Sequence, residues 1–372
     1  MTRPATAEVD LGAVRHNAAE LRAAAGGAAL CAVVKADGYG HGSVPVARAA
    51  LEGGADLLAV ALVEEALVLR DAGVDAPVLV LSEQAPESLA DAARARLTPT
   101  VYTPGGIEAA AAAAAAAGLD RPWEVHLKVD TGMHRVGCDP ADAVGLARRV
   151  LDAGLALGGT FTHLAVADEP DRPETDLQLD RFDGVLAALV DAGIDPGLRH
   201  AANSAGLLAH PRSHLDLVRP GIALYGLAPR PGVDGGLDLR PAMSVRSRVT
   251  LVKPVAAGEG VSYGLRHVFE RDAVVATVPL GYADGVTRSL GLAGGCVLIG
   301  GVRRPIRGVV TMDQFVVEVT EGPEVHVGDE VVLLGRQGAD EVTADEWAGR
   351  TGTISYEVVC GFGPRLARSH RG

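Results

Sequence analysis

The chain has 372 residues, 34 basic and 47 acidic side chains, and a formal charge of −13; 48% of residues are hydrophobic and 22% charged. That mix is globular, and the length suits two domains or one α/β barrel with an added domain. The acidic balance argues against a nucleic-acid or anionic-membrane surface, since both need clustered Lys and Arg. Four cysteines (Cys31, Cys138, Cys296, Cys360) lie far apart, with no CxxC and no His at ligand spacing, so no metal site is expected. Reduced thiols and a start without an apolar export stretch fit the cytoplasm. The nine alanines at 109–117 are too short to span a bilayer and read as a helix.

Up to about residue 230, apolar β-type runs alternate with Ala- and Leu-rich stretches of helical period. The runs are LCAVVKA (30–36), LLAVAL (57–62), PVLVLSE (77–83), LTPTVYT (97–103), EVHLKVD (124–130), GTFTHLA (158–164), LRHAANS (198–204) and LVRPGIALYG (217–226). Helical segments fall at 43–54, 63–72, 86–95, 105–118, 139–154 and 176–193. Near-continuous apolar strands separated by amphipathic helices predict a parallel sheet covered by helices. Eight such units favour a closed (β/α)8 TIM-type barrel over an open doubly wound sheet. A Pro/Gly-rich stretch at 229–236 ends the pattern. Short strands punctuated by Gly, Asp and Pro then follow, with no long helix before 343–350. The expected α/β fold is therefore a barrel over 1–235 and a mostly β C-terminal domain over 236–372.

In a barrel, chemistry collects where the loops after the strands converge. Unusual polar residues fall at those ends: Lys35 with Tyr39 beyond it, Arg135, His163, Asn203 with Ser204, and Arg219 in the last strand with Gly221 and Ile222. Any one of them alone reads more simply as a solvated charge or a satisfied core residue; several on one rim do not. A Lys after the buried run CAVV is desolvated, which lowers its pKa and favours Schiff-base formation with an aldehyde. Ser204 and the backbone near Gly221 and Ile222 lie in the loops that usually cradle phosphate in this fold. A Schiff-base Lys facing a phosphate cradle suits pyridoxal 5′-phosphate (PLP), with an Arg for the ring nitrogen. A sugar-phosphate enzyme with a Lys nucleophile fits these residues equally well.

The motifs AVVKADGYGHG (32–42), KVDTGMHRVG (128–137), THLAVAD (162–168), ANS (202–204) and LVRPGIALYG (217–226) resemble the barrel domain of alanine racemases. In the second domain LVKPV (251–255), GVSYG (260–264), PLGYADGV (279–286), TMDQF (311–315) and TISYE (353–357) continue the resemblance. It runs in order from about residue 7 to about 368. The Lys motif is highly specific, whereas GYADG and MDQF are strong only together. The resemblance implies a homodimer with shared active sites that interconverts L- and D-alanine on PLP, supplying D-alanine for peptidoglycan. Lys35 would carry PLP and act as one base, and Tyr263 of the other subunit would be the opposite base. Arg219 would meet the ring nitrogen with His163 behind it. Tyr39, Asn203, Ser204, Gly221, Ile222 and Tyr356 would hold the cofactor, mostly at its phosphate. Arg135 and the Met312 N–H would receive the substrate carboxylate. Asp168, Tyr282, Arg288 and Asp313 would line the way in. Lys128 matches a lysine often carbamylated in this family.

Three positions depart from the family pattern. Val309 stands where an Arg is common, and Thr311 where Cys or another small residue is common. Ala367 interrupts a usual RVPR pattern and leaves the role of Arg368 open. A phenol base needs cations nearby, and Arg135, with His163 if it is protonated, could supply them. A racemase for another small amino acid such as serine, a PLP decarboxylase, and a non-catalytic PLP carrier are the competing readings. Arg219 speaks against the decarboxylase, and the whole second domain against the carrier.

Overall fold

A computed structural model describes residues 4–119 and 122–372. The chain divides into two compact units, one made of Ala13–Gly38 with Ser43–Arg240, the other of the segment up to Gly12 with Tyr39–Gly42 and Pro241–Gly372. The first strand, β1 (Ala5–Asp10), belongs to the second unit. A domain running unbroken to residue 235 therefore gains an exception at its very start and another at Tyr39–Gly42.

The first unit is the predicted barrel. Its strands are β2 (Ala29–Val33), β3 (Leu57–Val60), β4 (Val78–Val80), β5 (Thr100–Val101), β6 (Glu124–Lys128), β7 (Ala156–Phe161), β8 (Leu198–His200) and β9 (Leu217–Val218). Each coincides with one of the eight apolar runs; six lie wholly inside, while β2 starts one residue and β7 two residues before its run. They form two parallel four-stranded sheets, β4-β3-β2-β9 and β5-β6-β7-β8. Backbone hydrogen bonds join the sheets at both seams: Thr98 N to Val78 O and Val80 N to Thr98 O, each 2.9 Å, and Asp216 N to Arg199 O and Arg219 N to Ala202 O, each 3.0 Å. The sheet thus closes on itself.

Each covering helix buries one stripe. Ser43–Glu52 turns Val46, Ala47, Ala49 and Ala50 inward, and Ala143–Asp152 turns Leu146, Ala147 and Val150. Burying one Val or Leu stabilises the fold by roughly 1.5–3 kcal/mol. The alanine tract forms the helix Pro104–Ala117 because its start is built for one: Pro104 sits at the first position and Thr103 Oγ1 accepts from Gly106 N at 2.9 Å. One expectation was too long. The run 217–226 is extended only at Leu217–Val218, because Pro220 has no N–H to give a ladder; Arg219, Gly221 and Ile222 therefore follow the strand instead of lying in it.

The second unit carries β10 (Met243–Arg248), β11 (Leu251–Val255), β12 (Gly260–Val261), β13 (His267–Val268), β14 (Ala273–Val278), β15 (Cys296–Ile299), β16 (Val302–Arg307), β17 (Phe315–Glu318), β18 (Glu330–Gln337), β19 (Asp340–Val342) and β20 (Ala367–Arg371). Its main sheet runs β11-β14-β17-β16-β15-β18-β10-β1-β20, with β19 paired to β18. β1 is antiparallel to β10 and parallel to β20, and alternates buried Ala5, Ala7 and Val9 with partly exposed neighbours.

Candidate active site

Lys35 lies two residues beyond β2 and is half-buried. The chain then enters the left-handed region and stays there: φ is 52° at Ala36, 50° at Asp37, 60° at Gly38, 52° at Tyr39 and 78° at Gly40. For residues with a Cβ this costs about 1–2 kcal/mol each, so surrounding bonds must hold the turn. Within the barrel unit, Ala36 N donates to Glu65 Oε1 (2.6 Å), Gly38 N to Val34 O (2.9 Å) and Ser43 N to Asp37 Oδ1 (2.8 Å).

Arg219 is the buried centre of the rim. Its Nη1 donates to His200 Nδ1 at 2.7 Å, and its Nη2 to Thr162 O (2.8 Å) and Ala201 O (3.1 Å), with His163 Nδ1 at 3.5 Å. Arg can only donate, so His200 keeps its proton on Nε2 and gives it to His126 Nδ1 at 2.9 Å. Burial pushes Arg219 down to about 10, which leaves it protonated near neutrality. Burial, with Arg219 beside it, pushes His126 down to about 3 and holds His200 and His163 well below the ordinary histidine range. His163 is therefore not a cation for the phenol: burial first, then Arg219, Lys128, Arg135 and Lys35 around it, keep it neutral. Burial also raises the Cys31 thiol to about 12, so it stays protonated.

Lys128, buried at the end of β6, is pushed down to about 8, first by burial and then by Arg219, Arg135 and Lys35. Its Nζ reaches Leu81 O at 3.4 Å and stands 5.3 Å from the centre of the Phe161 ring; the Arg219 guanidinium lies 5.2 Å from the same ring. Asp130 Oδ1 accepts from Gly132, Met133 and His134 N–H, each at 3.0 Å. Burial works to raise its pKa, but these donors outweigh it and hold the carboxyl below its usual range. The carboxylate thereby fixes the loop that presents exposed Arg135. Ser204 Oγ accepts from Gly221 N (2.9 Å) and Ala223 N (3.3 Å), gathering Ser204, Gly221 and Ile222 into one buried nest. Asn203 instead caps the helix Ser204–Ala209 through Gly206 N at 2.9 Å. Asp168 is half-buried in the turn after β7.

In the β unit, Tyr39 is buried and lies 6.2 Å, ring to ring, from Tyr356; burial pushes its hydroxyl up, with Cys360 adding to the shift. Tyr263 sits between β12 and β13 and is 73% exposed; Ser262 (φ 63°), Gly264 (φ 75°) and Leu265 (φ 47°) give its loop a left-handed backbone. Met312, Tyr282, Arg288 and Asp313 are exposed too. Gly281 packs so closely on the Thr311 and Met312 carbonyls that a Cβ there would lie 2.2 Å from Met312 O, and Tyr282 N donates to Thr311 O at 3.0 Å. The two loops therefore form one piece. Val309 is buried, and its carbonyl accepts from Ser262 Oγ at 2.6 Å. An Arg in its place would have to leave that pocket. Arg368 closes its own unit, donating to Gly40 O (3.0 Å) and Leu366 O (2.7 Å), with Gly363 O and Phe362 O completing the set.

The sequence reading missed His126, His200, Glu65 and Arg365. His126 had a signal: it shares an inward face with Lys128 at a spacing of two along β6. Arg365 had none; its ion pairs to Asp284 (3.3 Å) and Asp313 (2.6 Å) join distant loops.

The alanine racemase N-terminal domain family matches residues 9–229 and the alanine racemase C-terminal domain family residues 242–370. This chain belongs to the alanine racemase family. An alanine racemase of Symbiobacterium thermophilum is 50% identical over 372 residues, covering 100% of this chain and 98% of the relative. One from Thermobifida fusca is 46% identical over 376 residues, covering 100% and 99%. Among solved structures, the alanine racemase of a D-cycloserine-producing Streptomyces lavendulae superposes with a TM-score of 0.93 at 42% identity, covering 100% of this chain and 98% of that one. The Bacillus anthracis enzyme with bound L-Ala-P gives 0.92 at 37% identity, covering 100% and 96%. Alanine racemases are isomerases, and this chain is a member of that enzyme family over its whole length.

Proposed function

We propose that this protein interconverts L- and D-alanine by a two-base mechanism, with PLP held in the barrel by Lys35. The observation that carries the reading is the rim itself. One unit sets Lys35, Lys128, Arg135 and Arg219 close enough to shift His163 together, beside the nest formed by Ser204 and Gly221. The donor set suits PLP. Ser204 Oγ accepts two N–H bonds and keeps its own proton to give to a phosphate, and an amine and a buried guanidinium stand on the same rim. When bound, PLP supplies the electron withdrawal that makes the Cα proton of an amino acid acidic.

The chain's residues do the rest. Ser204, the Ile222 N–H, Tyr39 and Tyr356 would hold the phosphate, with Gly221 giving its own N–H to Ser204 and shaping the nest. Arg219, pinned by Thr162, Ala201 and His200, meets the ring nitrogen with a donor that does not give up its proton at neutral pH. With PLP bound, this donor would let less negative charge collect at the ring nitrogen than an acid partner would. Arg135 and the Met312 N–H hold the substrate carboxylate. Lys35 moves the proton at Cα on one face, and the Tyr263 phenol moves it on the other. Asp168, Tyr282, Arg288 and Asp313 line the access path. Lys128 carries a carbamate that orients Arg135, and its lowered pKa favours this by leaving more neutral amine. An intact mass without one added CO2 in bicarbonate buffer would remove that point.

Tyr263 belongs to the β domain and is taken to serve a partner subunit's barrel, so the working form is a cytoplasmic homodimer supplying D-alanine for peptidoglycan. Its bare, 73%-exposed ring on a strained loop supports a role completed by another surface. The test is incubation of purified protein with each enantiomer of alanine and of serine, followed by chiral analysis. Both alanine enantiomers should converge on a near-equal mixture. Turnover of serine with alanine untouched would redirect the reading to another racemase.

A further inference from the structure

We propose that Glu65 is a positioning residue for Lys35, acting through the peptide that joins Lys35 to Ala36; this rests on Lys35 being the amine that holds PLP. Glu65 is the third residue of the helix Val63–Asp71, where an acidic side chain ordinarily turns back to cap the first N–H groups. Oε2 alone does that work, accepting from Ala61 N (2.8 Å) and Leu62 N (3.1 Å) at the end of β3. Oε1 is left over, and it crosses to the end of β2 to take Ala36 N at 2.6 Å. One carboxylate therefore ties together two adjacent strand ends.

The Ala36 N–H lies in the same peptide plane as the Lys35 carbonyl. Fixing that N–H fixes the Lys35 ψ angle, and with it the path of the chain into the first of the left-handed residues. Asp37 closes the far side of the turn on Ser43 N and Gly38 N reaches back to Val34 O, while Glu65 takes the N–H of the first left-handed residue. Without Glu65 the strained turn loses that bond at its start, and Lys35 is held less firmly on the rim. A charged acceptor at short distance is the strong form of this bond.

The variants separate positioning from capping. Glu65→Gln keeps one oxygen for Ala61 and Leu62 but turns an NH2 toward the Ala36 N–H, so the cap survives and the hold is lost. Glu65→Ala removes both. In E65Q, amide hydrogen exchange of the peptide over 34–40 should quicken about tenfold to a hundredfold, the worth of one hydrogen bond to a charge, with 61–71 at the wild-type rate. In E65A both peptides should loosen. The visible band of the purified holoenzyme should shift in E65Q, and kcat should fall about tenfold with KM for alanine little changed. Wild-type exchange over 34–40 in E65Q, or equal loosening of 61–71, overturns the proposal. Borohydride reduction of the wild-type holoenzyme and peptide mapping identify the labelled lysine. A label on a lysine other than Lys35 overturns the proposal through the cofactor reading. A label on Lys35 with unchanged E65Q exchange overturns the positioning role alone.

Discussion

The barrel rim and the loops of the β unit treat their charged groups in opposite ways, and two arginines make the contrast plain. Arg219 is buried and gives its protons to two carbonyls and a neutral imidazole, with no carboxylate among these partners. Arg365 is exposed and spans two carboxylates, Asp284 and Asp313. The first arrangement goes with fixed protonation states: burial, with Arg219 beside them, holds three histidines neutral. The second fixes only where loops stand and leaves Tyr263, Met312 and Tyr282 facing solvent. The barrel carries chemistry already tuned by the fold, whereas the β unit presents side chains whose tuning must come from whatever covers them.

The largest expected effect tests whether both regions serve one reaction. Lys35→Ala and Tyr263→Phe should each lower kcat by about 10²–10⁴-fold, the range for a lost general base. Unfolded and reassembled together in equal amounts, the two variants should regain about a quarter of wild-type activity, because half the dimers are mixed and each mixed dimer has one intact site. No recovery in a mixture whose mixed dimers are verified by mass would place both bases within one chain. Tyr263→Phe should also suppress Cα exchange with deuterated solvent from L-alanine more than from D-alanine.

Next comes the buried cation. Arg219→Leu strips the donor from Thr162 O, Ala201 O and His200 Nδ1, which should cost about 2–5 kcal/mol in denaturant unfolding. A loss below measurement error would mean that Arg219 is held no more firmly than a surface charge. The third effect is acid sensitivity. His126 is depressed from 6.5 to about 3, so between those values the unfolded chain binds a proton that the folded chain does not. Stability is then full above pH 6.5 and drains away as pH falls toward 3. His126→Gln should flatten the slope of unfolding free energy against pH in that window by about 1.4 kcal/mol per pH unit. An unchanged slope would show that His126 titrates normally. The smallest effect belongs to the β unit: Asp313→Asn removes the charge from an exposed ion pair, and the thermal midpoint should barely move.

Much of the barrel was legible because parallel strands buried on both faces leave unbroken apolar runs, and Lys35 and Arg219 stand out against CAVV and LV. The neutrality of His163 was not, because it follows first from burial and then from Arg219, Lys128, Arg135 and Lys35 converging from three other strand ends. Nor was the left-handed turn: DGYG announces an irregular backbone, but not that Ala36 shares it, since the Ala36 N–H is held by Glu65 from the helix after β3. The start of the chain was misassigned for a related reason. Six residues of ATAEVD alternate as a strand should, but nothing local says that their partners lie in the other unit.

That strand also sets a timetable. β1 is made first, yet it finds no neighbour until β10 has been synthesised, and its second neighbour, β20, comes later still. The barrel strands between them have their partners sooner. During synthesis the barrel can therefore close while β1 waits as an unpaired edge, the exposed element most open to wrong pairing. Loop-closure entropy makes its capture a late event. β1 offers that edge only six residues, with Glu8 and Asp10 among them, and charge on a short strand is one way to keep a waiting edge from joining another chain.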